Sequence, residues 1–285
     1  MHAVHTVAEV RAAEGVVLAR TADGELMQRA ASGLARTCAQ LLSLHAGGIY
    51  GSRVVLLCGT GNNGGDALFA GARLAKRGAE VLVVPTGSRM HSAGGQAVQQ
   101  AGGRVLDVGE ASRVIASADL VVDGIVGIGG AGPLRGDAAE LAEQATVSDA
   151  LVVAVDVPSG VDADTGAADD GAVWADATVT FGLMKAGLLL APGSMHAGLL
   201  EVVDIGLTAE AGVPSITCLD ANDLAGILPR PSPTDDKYSR GVTGIAAGSQ
   251  KYPGAAVLAV SGALHTKAGL VRYVGDSAAE VVSAW

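Results

Sequence analysis

Residues 54–66 read Val-Val-Leu-Leu-Cys-Gly-Thr-Gly-Asn-Asn-Gly-Gly-Asp, and no other stretch restricts the fold of this chain so tightly. Val54 to Cys58 form a short, continuous apolar run, as expected of a strand buried on both faces of a parallel sheet. Gly59, Gly61 and Gly64 then satisfy the spacing G-x-G-x-x-G, and helical periodicity follows, with Leu68, Ala72 and Ala75 on one face. Strand, glycine turn and helix in that order bring backbone N–H groups and the positive end of a helix dipole to a small anion, usually a phosphate. The spacing alone does not make a dehydrogenase. Such a site wants an acidic residue at the end of the second strand to hold a ribose hydroxyl. Here that strand, Val81 to Val84, ends in Pro85 and Thr86, and Glu80 stands at its beginning. The loop instead offers Asn62, Asn63 and Asp66 to one mouth.

The pattern from Arg53 onward alternates strand and helix. Strands are expected at 53–58, 80–84, 104–106, 119–123, 151–155, 177–181 and 199–203, and helices at 65–77, 92–101, 110–117 and 137–146. Repeated βαβ units of this kind build a mostly parallel sheet in a doubly wound, Rossmann-like three-layer α/β sandwich. Before it, residues 7–45 read as helices. One apolar stripe is Val10, Ala13, Val17 and Leu18; another includes Leu26, Met27, Ala30, Leu34, Ala35 and Leu41. Apolar residues are 49% of the chain but aromatics only 3%, so the core has to be aliphatic.

Ligands of such sheets bind beyond the carboxyl ends of the strands. Strand 119–123 ends in Asp123 and a glycine-rich loop to Gly136; strand 151–155 is followed by Asp156-Val-Pro-Ser-Gly160. With Asn62–Asp66, three strand ends converge on one crevice. A net charge of −10 without a basic cluster argues against nucleic acid as a partner. Cys38, Cys58 and Cys218 show no C-x-x-C pair, so neither a disulfide framework nor a zinc site is expected, and Cys58 reads as a small buried residue. No basic segment followed by an apolar one opens the chain, and no apolar run reaches the ~18 residues of a membrane helix, so a soluble cytoplasmic protein is expected.

Composition shifts near residue 225. Pro229-Arg-Pro-Ser-Pro233 reads as a stiff linker over 226–236. A new unit over 237–285 then shows a strand (Val242 to Ala246), a helix (Ala255 to Thr266) and a strand (Leu270 to Val274), too little to bury a core alone.

Taken together, Gly61-Asn-Asn-Gly-Gly-Asp66, Asp123 with its glycine loop, Asp156-Val-Pro-Ser-Gly160, and Thr180-Phe-Gly with Lys185 and Gly187 resemble the NAD(P)H-hydrate epimerase domain, the YjeF N-terminal fold. The resemblance covers roughly residues 5–225 and implies an epimerase domain over 1–225. Residues 237–285 (Lys-Tyr-Ser-Arg-Gly, then Ala-Gly-Ser-Gln-Lys-Tyr-Pro-Gly) resemble the start of the ADP- or ATP-dependent NAD(P)H-hydrate dehydratase, a lyase with a ribokinase-like fold. The resemblance implies an incomplete dehydratase segment without its own activity, on the end of an isomerase that interconverts the R and S forms of NAD(P)HX. It implies substrate contacts at Asn62, Asn63, Gly64, Gly65 and Asp66, at Gly127, Ile128, Gly129, Gly130, Ala131, Gly132 and Pro133, and at Asp156. It further implies a potassium ion held by Asn63, Asp123 and Ser159. A homo-oligomer is expected. One departure from the family's pattern is Leu26-Met27-Gln28 followed by Ala30-Ala31, where Leu-Met-Glu and an Ala-Gly are usual.

The substrate of such an enzyme carries a hydroxyl on the carbon beside the ring nitrogen. Inverting that carbon needs proton transfer to or from the hydroxyl, and Asp156 is the candidate acid/base. Asp156 could instead serve only to accept N–H bonds from its own turn. Asn63, Asp123 and Ser159 offer hard oxygen ligands of low total charge, or else a network that braces the loops. Asn62 and Asp66 could cap helix 65–77. Lys185 is expected in solvent, with phosphate pairing as its alternative role; His91 is expected to start a helix. Two other readings compete: an NAD(P)-dependent oxidoreductase, weakened by the missing strand-end acid, and a non-catalytic interaction module of the same fold, weakened by the retained polar set.

Overall fold

The computed structural model describes every residue except Met1, Ala131, Pro229, Pro231, Lys267 and Trp285, and His2 by its backbone alone. The chain divides into two compact units, Met1–Cys218 and Leu219–Trp285.

The first unit opens with β1 (His2–Val4), α1 (Val7–Leu18) and α2 (Glu25–His45). Thr6 caps α1 through a reciprocal capping box with Glu9. Then follow β2 (Arg53–Cys58), α3 (Asn62–Ala75), β3 (Glu80–Pro85), α4 (Ser92–Gln100), β4 (Arg104–Val105), α5 (Ala111–Ile115), β5 (Leu120–Gly124), α6 (Asp137–Thr146), β6 (Leu151–Val155), β7 (Ala177–Phe181), α7 (Gly193–His196), β8 (Leu199–Val203) and β9 (Ile216–Cys218). Seven strands form one sheet in the order β4-β3-β2-β5-β6-β7-β8, and every pairing in it is parallel. β1 and β9, not anticipated from the sequence, make a short antiparallel pair of their own.

Alternation along the strands divides the core into two layers. Val54, Leu56 and Cys58 face α1 to α4, together with Leu34, Leu42, Leu68 and Leu74. Val55 and Leu57 face α5 and α6, with Ile115 and Leu141. A parallel strand buried on both faces has this period-2 division, which is why β2 is apolar throughout. The α1 stripe holds at Val10, Ala13 and Val17, but Leu18 is exposed at the helix end.

The second unit contains α8 (Ala221–Ile227), β10 (Val242–Ile245), α9 (Gly254–His265), β11 (Leu270–Tyr273) and α10 (Ala278–Ser283). β10 and β11 pair in parallel across α9. Its buried apolar centre among the described residues is Ala256, Val260 and Val281. α8 begins on a capping box at Asp220 and spans the boundary expected at 225.

Candidate active site

The sheet order sets the position of the site. From β2 the chain winds outward through β3 to β4, then returns to β5 on the other side of β2. A crevice opens at such a reversal, beyond the carboxyl ends of the two central strands. In register, Leu57 lies beside Asp123, and Asp123 beside Ala154. The loops after β2, β5 and β6 therefore meet.

The glycine turn is built for close approach. The Gly59 N–H donates to the Gly124 carbonyl (3.0 Å), and a Cβ on Gly59 would run into the Ile125 carbonyl. A Cβ on Gly64 would strike the Gly59 carbonyl. Gly61 is the extended N-cap of α3, and no side chain caps the helix. This corrects the capping expectation. The helix starts at Asn62, three residues before the expected start, because the Asn-Asn-Gly-Gly segment is already helical. Asn62 and Asp66 are thus helical residues and not caps, and the first-turn N–H groups keep no side-chain partner.

Above these ends lies a cleft of about 1160 Å³. Asn62, Asn63, Asp66, Gly127, Ile128, Gly129, Gly130 and Asp156 line it, with Arg11 and Glu14 from α1. Asp123 and Ser159 lie buried outside its lining. Gly64 and Gly65 are buried in packing, Gly65 against Met27 and His91. The glycine loop serves two cavities: Gly132 and Pro133 border a separate space of about 360 Å³, and Gly127 and Gly130 border both. Ala131 lies outside the described residues.

Asp156 has a left-handed backbone, with φ of +68°, the one such non-glycine among the described residues. Strain of this kind persists where surrounding structure holds it, often at functional sites. Its Oδ1 accepts from Lys185 Nζ (2.6 Å), from Thr180 Oγ1 (3.3 Å) and from the Phe181 N–H (3.3 Å). None of these bonds uses Oδ2, which is the oxygen left for a ligand in the cleft. The donors come from β7 and beyond, not from the Pro-Ser-Gly turn, so the turn-bracing alternative for this side chain is corrected.

Lys185 overturns both expectations made for it. It is 1% exposed, and Nζ also donates to Thr180 Oγ1 (2.9 Å) and the Phe181 carbonyl (2.8 Å). All three protons are committed, so this lysine is neither solvated nor free for phosphate.

A second cluster sits beneath. Ser159 donates from Oγ to Asp123 Oδ1 (2.6 Å) and from its N–H to Asp123 Oδ2 (2.8 Å), and the Ile125 N–H also reaches Oδ1 (3.2 Å). The Val126 N–H donates to Ser159 Oγ (2.9 Å), and the Val126 carbonyl lies 3.1 Å from that hydroxyl. Asp123 is fully buried with no cation in salt-bridge range among the described residues, and burial, only partly offset by these bonds, raises its carboxyl to about 6. Asn63 has a buried amide nitrogen with no partner. A Cβ on Gly127 would stand 2.8 Å from the Asn63 Oδ1. The orphaned nitrogen is a donor and could not touch a cation. The Asn63 Oδ1, Asp123 and the Ser159 hydroxyl, however, are hard oxygen donors with one buried carboxylate that faces no cation among the described residues, a set that fits a weakly held monovalent ion.

Asp66 completes the group. It is 8% exposed, its Oδ1 is buried without a partner, and burial followed by the charges of Asp156 and Glu14 holds its carboxyl well above the usual range. Sequence reasoning missed Glu14 and the Asp156–Lys185 pair. His91, as expected, starts α4, its Nδ1 accepting from the Gly94 N–H (3.1 Å). No helix among the described residues is long and apolar enough to cross a membrane.

Known proteins carry the same arrangement of sequence. The chain is 44% identical to the bifunctional NAD(P)H-hydrate repair enzyme Nnr of Mycobacterium tuberculosis, over all of this chain and 58% of that protein's length. It is 43% identical to the NAD(P)H-hydrate epimerase of Clavibacter michiganensis subsp. michiganensis, over 74% of this chain and 94% of that one. The fold matches the crystal structure of the yeast protein ynu0, YNL200c, with a TM-score of 0.62 at 20% identity, over 77% of this chain and 98% of that one. Residues 23–187 match the model of the family described as YjeF-related protein N-terminus. The chain belongs to that family.

Proposed function

We propose that the first unit epimerises the hydrate of reduced nicotinamide dinucleotide, NAD(P)HX, at the carbon bearing its hydroxyl. The observation that carries this reading is Asp156: a cleft-lining carboxylate, fixed through Oδ1 by Lys185 and Thr180, with Oδ2 left for substrate. A carboxylate so held can take a proton from the substrate hydroxyl or from an adding water without swinging away. A relative that this chain covers almost end to end is named NAD(P)H-hydrate epimerase, which supports the same reading. The cleft volume suits a dinucleotide, and the uncapped first turn of α3 suits its phosphates. A cytoplasmic location goes with this reading.

Asn63, Asp123 and Ser159 would hold potassium, with the Val126 carbonyl as a further oxygen that the sequence did not single out. Bound there, the ion would supply a positive charge to the base of the cleft. Its test is thermal: potassium chloride raises Tm relative to tetramethylammonium chloride of equal ionic strength, and Asp123→Ala removes that difference. An unchanged potassium response in the variant removes the cation assignment.

The function itself is tested by incubating purified R hydrate with the protein and following the two epimers by chromatography. Equilibration faster than in buffer supports the reading; the spontaneous rate contradicts it.

A further inference from the structure

We propose that Asp66 is the proton donor of this site and that Glu14, on α1, is the positioning residue beside it. The inference rests on the epimerase reading and assigns a division of labour within it.

Three observations meet at Asp66. It stands on the second turn of α3, lines the cleft and is more than nine-tenths buried. One of its oxygens is buried with no hydrogen-bond partner. The charges it faces disfavour a second negative group: Asp156 beyond β6 and Glu14 on α1. Lys185 offsets them only in part, its three protons being committed elsewhere. Arg11 tempers Glu14, whose own carboxyl is raised by burial and by Asp156. His91 on α4, and Asp23 and Glu25 near the start of α2, also border the cleft. An ionised Asp66 would be an unpaired buried charge, so the neutral acid is the favoured form. A buried, unpaired carboxyl beside a second carboxylate that is held by a lysine is an arrangement that can supply an acid and a base in one site.

The step balances as follows. The Asp66 carboxyl gives its proton to the substrate hydroxyl as the C–O bond breaks. The lone pair of the ring nitrogen closes to a C=N bond, and water leaves. Water then adds to the opposite face, the C=N pair returns to nitrogen, and the surplus proton goes to Asp156 Oδ2. Transfer of that proton back to Asp66 through cleft water restores both groups, with no net gain or loss of protons or water.

Two measurements test this. Carboxyl-carbon NMR of the full chain should show Asp66 keeping its proton well above the ordinary aspartate range; ionisation near the ordinary aspartate value of ~4 would overturn the assignment whatever the activity. In kinetics, Asp66→Asn should lower kcat by ~10²-fold or more and abolish the alkaline limb of the pH profile. Asp66→Glu should recover part of the rate. Glu14→Gln should move that limb to lower pH, because a like charge has been removed. If the parent epimerises and Asp66→Asn keeps its rate, the donor assignment fails and the function stands. An alkaline limb unmoved in Glu14→Gln removes Glu14 from it. A parent that does not epimerise fails at the function itself.

Discussion

At the scale of single residues, the buried pair governs what a substitution does. Asp156→Asn removes the proton acceptor and should cost ~10²-fold or more in turnover. It also leaves Lys185 charged and buried beside an amide. Breaking a buried pair from one side typically costs ~3–5 kcal/mol, so this variant should melt well below the parent. Asp156→Asn combined with Lys185→Met should regain much of the Tm without regaining activity. A double variant as unstable as the single one would contradict the pairing. Asp66 supplies a pH prediction. Its folded carboxyl is raised above its unfolded value, so the native state keeps the proton longer. The stability it contributes is complete below the ordinary aspartate range and is lost as pH rises through the raised value. Thermal melts of Asp66→Asn against the parent should therefore diverge in favour of the variant as pH increases. A constant difference would argue against a buried neutral acid. Neither the pair nor Glu14 was legible beforehand. Asp156 and Lys185 are 29 residues apart in sequence and meet only because β6 lies beside β7. Glu14 sits on a helix whose apolar stripe shows where the core lies but not which polar edge borders a cleft.

At the scale of elements, the strands were the most legible part. β2, β6, β7 and β8 have the expected bounds, since a short apolar run closed by turn residues leaves few choices. α3 was misjudged at its start because periodicity is silent over Asn-Asn-Gly-Gly, where the helix carries no apolar stripe. β1 and β9, three residues each, were too short to leave a pattern. The glycine turn joins β2 to β5 through backbone contact, and this gives a stability test. Gly59→Ala places a methyl against the Ile125 carbonyl, which cannot move without disturbing β5. Overpacking of this sort costs ~1–3 kcal/mol, or ~2–12 °C in Tm for a unit of this size. Gly61→Ala meets no atom within contact range and should leave Tm nearly unchanged. Equal losses in the two variants would refute the account of the turn.

At the scale of the whole molecule, the two units differ in how much they bury. The first has a seven-stranded sheet with a core layer on each face; the second has one parallel pair and a buried centre of Ala256, Val260 and Val281. A two-stranded sheet with so small a centre is marginal in water. Amide exchange should therefore be fast in β10 and β11 and slowest in β2 and β5. Comparable protection in both units would show that the second is held by more than its own core. The first unit carries the claim that matters most, since every residue of the candidate site lies in it. Its most direct test is a coupled assay: mixed R and S hydrate, an S-specific dehydratase in excess, and this protein added last. The account predicts that the R form is drawn down faster than it converts spontaneously, and that Asp156→Asn abolishes the acceleration. Consumption of R at the spontaneous rate with the folded parent present would contradict it.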